Sequence, residues 1–86
     1  MAALPYYGVD VPIRNSTGAN GVHIFTGRAR TPGDAVRIAH EVYDTARAAQ
    51  ASGRNIPDQR PDGWAARGIR PGWHLDWNAA TAHRWT

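Results

Sequence analysis

Residues 31–53 read TPGDAVRIAHEVYDTARAAQASG, and this stretch decides the fold. Thr31 has the side-chain oxygen of an N-cap, Pro32 suits the first helical position, and Asp34 stands three residues past the cap, as in a capping box with Asp for Glu. Such a cap contributes about 1 kcal/mol. Ala35, Ile38, Ala39, Val42, Ala46 and Ala49 then recur at helical spacing, with Val36 and Tyr43 at the margin of the stripe. Gly53 supplies the stop. The pattern predicts an amphipathic helix over residues 32–52. Its other side carries Arg37, His40, Glu41, Asp44 and Arg47, whose spacings allow an Arg37–Glu41 and an Asp44–Arg47 pair. Exposed pairs of this kind contribute only a few tenths of a kcal/mol, so this side reads as a solvated face.

An Ala-rich stripe needs a surface that it can approach closely, and the preceding residues provide one. From Tyr7 to Arg14 the chain alternates, with Tyr7, Val9, Val11 and Ile13 on one side and Gly8, Asp10, Pro12 and Arg14 on the other. That is a half-buried strand. Pro12 has no backbone donor, which predicts an edge strand or a bulge at that point. Residues 15–21, Asn-Ser-Thr-Gly-Ala-Asn-Gly, are turn chemistry, so a hairpin follows. The second strand, residues 22–30, is apolar on both sides. Its small Gly27 and Ala29 place His23, Phe25, Gly27 and Ala29 under the helix, leaving Val22, Ile24, Thr26, Arg28 and Arg30 on the opposite face.

Beyond Gly53 the composition shifts to Gly, Pro, Arg, Asp and Asn, and residues 54–72 read as a loop-rich segment, long for so small a domain. Arg60-Pro61-Asp62-Gly63-Trp64 and Arg70-Pro71-Gly72-Trp73 echo one another as two turns, not as a repeat architecture. Trp73, Leu75 and Trp77 alternate like a third strand, and Asn78 is placed to cap a short Ala-rich helix through Trp85. The fold class is therefore α+β: a β-hairpin, one main amphipathic helix packed on a small antiparallel sheet, a long loop, a third strand and a short C-terminal helix. Residues 1–86 form a single small domain.

Composition bounds what such a domain can do. Fifteen of the apolar residues are Ala, leaving twenty-one large ones in 86 residues. Burying a large apolar side chain contributes about 1.5–3 kcal/mol and ordering each residue costs about 1–2 kcal/mol, so the core is thin and a partner surface would relieve it. With no Cys there is no disulfide framework, thiolate nucleophile or Cys-based metal site, and an intracellular, cytoplasmic location fits best. No apolar run approaches the ~20 residues of a membrane span, and the first residues lack the basic and apolar regions of a signal peptide.

Catalytic and metal-binding patterns are absent from the sequence. His23, His40, His74 and His83 fall on different elements without ligand spacing. His74 and Asp76 would point to the same side of a strand, yet a catalytic or metal site needs further convergent groups. Ser16 and Ser52 lie in turn and helix-end contexts, and the glycines precede no phosphate loop. The expectation is a non-catalytic protein with no metal and no cofactor.

Charge is more informative. All ten basic residues are Arg, and the net charge is +3. Residues 1–33 and 54–86 carry net +2 each, while residues 34–53 carry −1. A helix laid along phosphates should be the most basic element, so helix-in-groove DNA binding is disfavoured. Nucleic acid would instead meet the sheet face and loops through Arg14, Thr26, Arg28, Arg30, Arg67 and Arg70, although Arg28 and Arg30 equally suit a solvated strand end. The first functional expectation is thus a small basic nucleic-acid-binding accessory or regulatory protein. The alternative is a protein-interaction module, a homodimer, inhibitor or adaptor, using Val22 and Ile24 or the Trp-rich end at Trp64 and Trp73. All four Trp lie after residue 63, where they either form an exposed platform or fold back to complete the core.

Overall fold

A hairpin, a helix and two late strands are built around one central strand. The computed structural model describes residues 4–54, 64–65 and 71–85, with residue 85 described in its backbone alone. The elements are β1 (Tyr6–Asn15), β2 (Asn20–Arg28), α1 (Pro32–Ala51), β3 (Trp73–Leu75), a 3-10 turn (Trp77–Ala79) and β4 (Thr81–Trp85). The α+β architecture of hairpin followed by helix is as the sequence predicts.

The hairpin turn is organised by Asn15, whose Oδ1 accepts from the Thr17 and Ala19 amides at 3.1 and 2.9 Å and from the Thr17 hydroxyl at 2.7 Å. The register pairs Tyr7 with Gly27, Val9 with Phe25 and Val11 with His23, so these residues share one face. Tyr7, Val9, Val11, Phe25 and Ala29 are buried there, while Val22 and Ile24 point the other way. The assignment of the second strand's two faces is borne out.

Helix α1 buries Ala35, Ala39, Val42 and Ala46 against this face. Its N-terminus is closed as expected, the Asp34 amide donating to Thr31 Oγ1 at 3.1 Å. At the other end Gly53 adopts φ 74°, where a side chain would be strained. The Gly53 and Arg54 amides then donate to the Gln50 and Ala49 carbonyls at 3.1 and 2.9 Å, closing a Schellman-type cap. On the outer side Arg37 reaches Glu41 at 2.9 Å. The Asp44–Arg47 pair does not form. Arg47 donates instead to the Tyr43 hydroxyl at 3.1 Å and lies over its ring, and Asp44 stands 3.7 Å from His40.

Gly27 is a point of very close packing in the core. A Cβ built there would lie 2.5 Å from the Trp64 indole and 2.8 Å from the Trp64 Cα, so the absence of a side chain is what lets the indole lie flat on β2. Trp64 is fully buried. Its Nε1–H donates to the Arg28 carbonyl at 2.8 Å, satisfying the indole in an otherwise apolar site.

Two expectations need correction. Strand β1 is central, not an edge: β2 flanks one side over its whole length, and β3 and β4 share the other. Pro12 is accommodated because β3 pairs with Ile13, Arg14 and Asn15, β4 pairs from Tyr6 to Asp10, and the chain between them is in the 3-10 turn. The missing N–H therefore faces a break in the neighbouring strands, while the Pro12 carbonyl still accepts from the Asp76 amide at 2.7 Å. The second correction concerns the C-terminal segment. Asn78 lies inside the 3-10 turn, and the residues after it form strand β4 where the sequence pattern predicts a short helix through Trp85. The open flank of β1 offers a backbone ladder from Tyr6 to Asp10, and Ala82 packs against the core. That tertiary pairing outweighs the helix propensity of the Ala residues.

Trp77 leaves the expected strand and turns onto the helix. It stacks on His40 with centroids 4.4 Å apart and planes at 20°, and touches the rings of Phe25 and Tyr43 at 5.4 and 5.9 Å. No described helix is long and apolar enough to cross a membrane.

Candidate interaction surface on the open sheet face

The even-numbered residues of β1 and β2 project away from the helix. Reading the register as rows across the two strands gives Arg14 with Asn20, Pro12 with Val22, Asp10 with Ile24, Gly8 with Thr26, and Tyr6 with Arg28. Strand β4 adds Thr81 beside Asp10 and His83 beside Gly8, and β3 adds His74 beside Arg14. The face is consequently layered. Val22, 58% exposed, and Ile24, 52% exposed, form an apolar pair on its β2 side beside the Asp10 carboxylate, and Tyr6 at one end is 42% exposed. Exposed large apolar side chains gathered on one face mark an interaction surface, whereas scattered ones do not.

Arg14 and Arg28 are both exposed and lie at opposite ends of this face, about 26 Å apart at a rise of ~3.3 Å per residue. The Asp10 carboxylate stands 3.8 Å from His83 Nε2, and Thr81 Oγ1 lies 3.4 Å from the same nitrogen. Arg14, Thr26 and Arg28 thus share the face assigned to them by alternation. Arg30 is exposed just past the end of β2. Arg67 and Arg70 lie outside the described residues.

The two indoles assigned to a partner surface lie elsewhere. Trp64 is core, not surface, because Gly27 opens the space it fills. Trp73 is half-buried and pairs with Asn15 on the helix side, its ring 3.8 Å from where a Gly21 Cβ would sit. Neither joins Val22 and Ile24. With Trp77 packed on the helix, Trp64, Trp73 and Trp77 do not form an exposed stacking platform.

The outer edge of β2 was not foreseen. Odd-numbered residues of β2 face β1 across the ladder, so the backbone groups of residues 20, 22, 24, 26 and 28 point outward. At one end the edge is covered: the Ala65 amide donates to the Thr26 carbonyl at 3.1 Å, and Trp64 caps Arg28. Among the described residues nothing pairs with the outward backbone groups of Asn20, Val22 and Ile24. This stretch, Asn-Gly-Val-His-Ile, contains no charge and no Pro, the usual guards of an exposed edge. The signal was present in the sequence as a charge-free run beside a turn.

At the hairpin end Pro12, Arg14, Asn20, His74 and Asp76 line an open groove of about 540 Å³. His74 on β3 and Asp76 just past its end both line this groove. No group of three or more His, Cys, Asp or Glu able to hold a metal ion is present among the described residues.

No protein-family model matches the chain, and neither the curated proteins nor the solved structures contain a match to it. The functional reading therefore rests on the surface itself.

Proposed function

We propose that the chain is a non-catalytic protein-interaction module that docks a partner protein on its open sheet face and the adjoining edge of β2. One observation carries this reading: Val22 and Ile24 are more than half exposed side by side on the β2 part of the face. Fully burying such a side chain contributes about 1.5–3 kcal/mol, and half of that from each residue is available to a partner that covers them. Added backbone pairing would supply orientation.

A second reading, nucleic acid on the same face, is favoured by the presence there of Arg14, Thr26 and Arg28. The Asp10 carboxylate and the apolar Val22 and Ile24 lie between the two guanidinium groups, which suits a protein surface better than a run of phosphates.

Both readings meet the same experiment. A photo-crosslinking amino acid at position 24 is expected to capture a protein in cells, and the same group at Glu41 on the outer helix face is not. Equal capture at both positions, or none at position 24, refutes the protein-interaction reading. Titration with duplex and single-stranded DNA and RNA at two salt concentrations tests the second reading. Salt-dependent binding that Arg14→Ala and Arg28→Ala both weaken would establish it.

A further inference from the structure

We infer that the groove at the hairpin end of the sheet is a binding site for a small zwitterion, its carboxylate held at Arg14 and its ammonium at Asp76, with a short methylene chain between them. The site lies beside Val22 and Ile24 and does not require a partner there. Its volume of about 540 Å³ falls within the roughly 300–1,000 Å³ of small-molecule sites. Pairing across three strands places its polar groups. Asn20, Arg14 and His74 stand in one row, because Arg14 of β1 pairs with Asn20 on one side and His74 on the other. The neighbouring row holds Pro12, and the Asp76 amide donates to the Pro12 carbonyl at 2.7 Å, which fixes Asp76 beside it.

Arg14, His74, Asp76 and Pro12 thus mark the corners of a square, with the two opposite charges on one diagonal. Diagonal neighbours in a sheet lie about 7–8 Å apart at Cα, within reach of a long side chain. Nevertheless, among the described residues neither Arg14 nor Asp76 enters an ion pair or a side-chain hydrogen bond. On α1, by contrast, Arg37 closes on both Asp34 and Glu41. The groove therefore keeps a cationic and an anionic pole apart, and each lacks a partner within the chain. Guanidinium matches a carboxylate, and Asn20 and His74 on either side of it supply further N–H donors. The Asp76 carboxylate accepts only, which suits an ammonium, and the half-buried Pro12 offers its ring to the methylenes. An inorganic anion would satisfy Arg14 alone and meet repulsion from Asp76, whereas a ligand bearing both charges satisfies the two.

Both poles are exposed, so each contributes modestly and binding should be weak but selective. In an amide chemical-shift titration, δ-aminovalerate is expected to move the backbone amides of Arg14, His74 and Asp76 and to leave that of Glu41, on the outer helix face, in place. Valerate and pentylamine, which carry one charge each, should bind about fivefold more weakly. Arg14→Ala should erase the preference for δ-aminovalerate over pentylamine, and Asp76→Asn the preference over valerate. Because both side chains are exposed and without partners, both variants should keep the parent's circular dichroism spectrum.

Groove amides that stay in place with δ-aminovalerate overturn the inference, as does a shift that is as large at Glu41. Valerate or inorganic phosphate binding as tightly as the zwitterion also overturns it, and so does an Asp76→Asn variant that keeps the parent's preference. Protein capture at position 24 bears on none of these outcomes, so partner docking and zwitterion binding fail separately.

Discussion

Gly27→Ala should be among the most costly single-methyl additions in this protein. The new Cβ would fall 2.5 Å from the Trp64 ring and 2.8 Å from its Cα, and because one of these atoms is backbone, a rotamer change alone cannot make room. Forcing a methyl into a packed core costs about 1–3 kcal/mol. Shifting the indole also breaks its 2.8 Å hydrogen bond to the Arg28 carbonyl, adding about 1 kcal/mol. A total of roughly 2–4 kcal/mol lowers the melting temperature of a domain this size by roughly 10–25 °C. Urea unfolding followed by circular dichroism measures the free energy, and the Trp emission should shift to the red as Trp64 meets water. A double-mutant cycle isolates the cause. In a Trp64→Ala background, held folded with sucrose, the ring clash is gone and only the 2.8 Å approach to the backbone Cα of residue 64 remains, so Gly27→Ala should cost clearly less than it does in the parent. A Gly27→Ala variant within about 0.5 kcal/mol of the parent, or one with the same penalty in both backgrounds, would refute the packing argument.

Three further outcomes follow from the helix. Thr31→Ala removes the acceptor of the Asp34 amide and should cost about 1 kcal/mol by urea titration. Ala39→Leu places a large side chain at a fully buried position facing the sheet, and calorimetry should show a loss of about 1–3 kcal/mol. Arg37→Ala breaks the 2.9 Å pair with Glu41, but both groups are more than half exposed, so its stability should remain within about 0.5 kcal/mol of the parent at moderate salt.

The elements legible in the sequence are those specified by neighbours along the chain. Thr31-Pro32 and Gly53 mark both ends of α1 to within a residue, and the small side chains Gly27 and Ala29 identify the face of β2 that meets it. What alternation could not reveal was set by partners far away in sequence. Pro12 reads as an edge residue until the break between β3 and β4 is seen beside it. The Ala residues around position 80 read as helical until the open flank of β1 recruits the segment as β4. Trp64 shows the same limit: its chain position marks only a loop, and its burial depends on a space that Gly27 leaves thirty-seven residues earlier. At the candidate site, Val22, Ile24, Arg14, Thr26 and Arg28 were all placed by alternation alone, whereas the position of β2 at the side of the sheet emerged only once β1 proved to be central.

The central position of β1 also bears on the order of events in folding. Its pairing with β2 closes a short turn and needs only neighbouring residues, so the hairpin can form on the microsecond scale typical of such units. Its pairing with β4 joins Tyr6 to Trp85, a contact across nearly the whole chain whose closure entropy must be met before the ladder rewards it. During synthesis, β1 thus waits with one flank bare until β4 follows it out. For that interval the flank of β1 that β4 later covers is itself exposed, and encounters between nascent chains would be most consequential then.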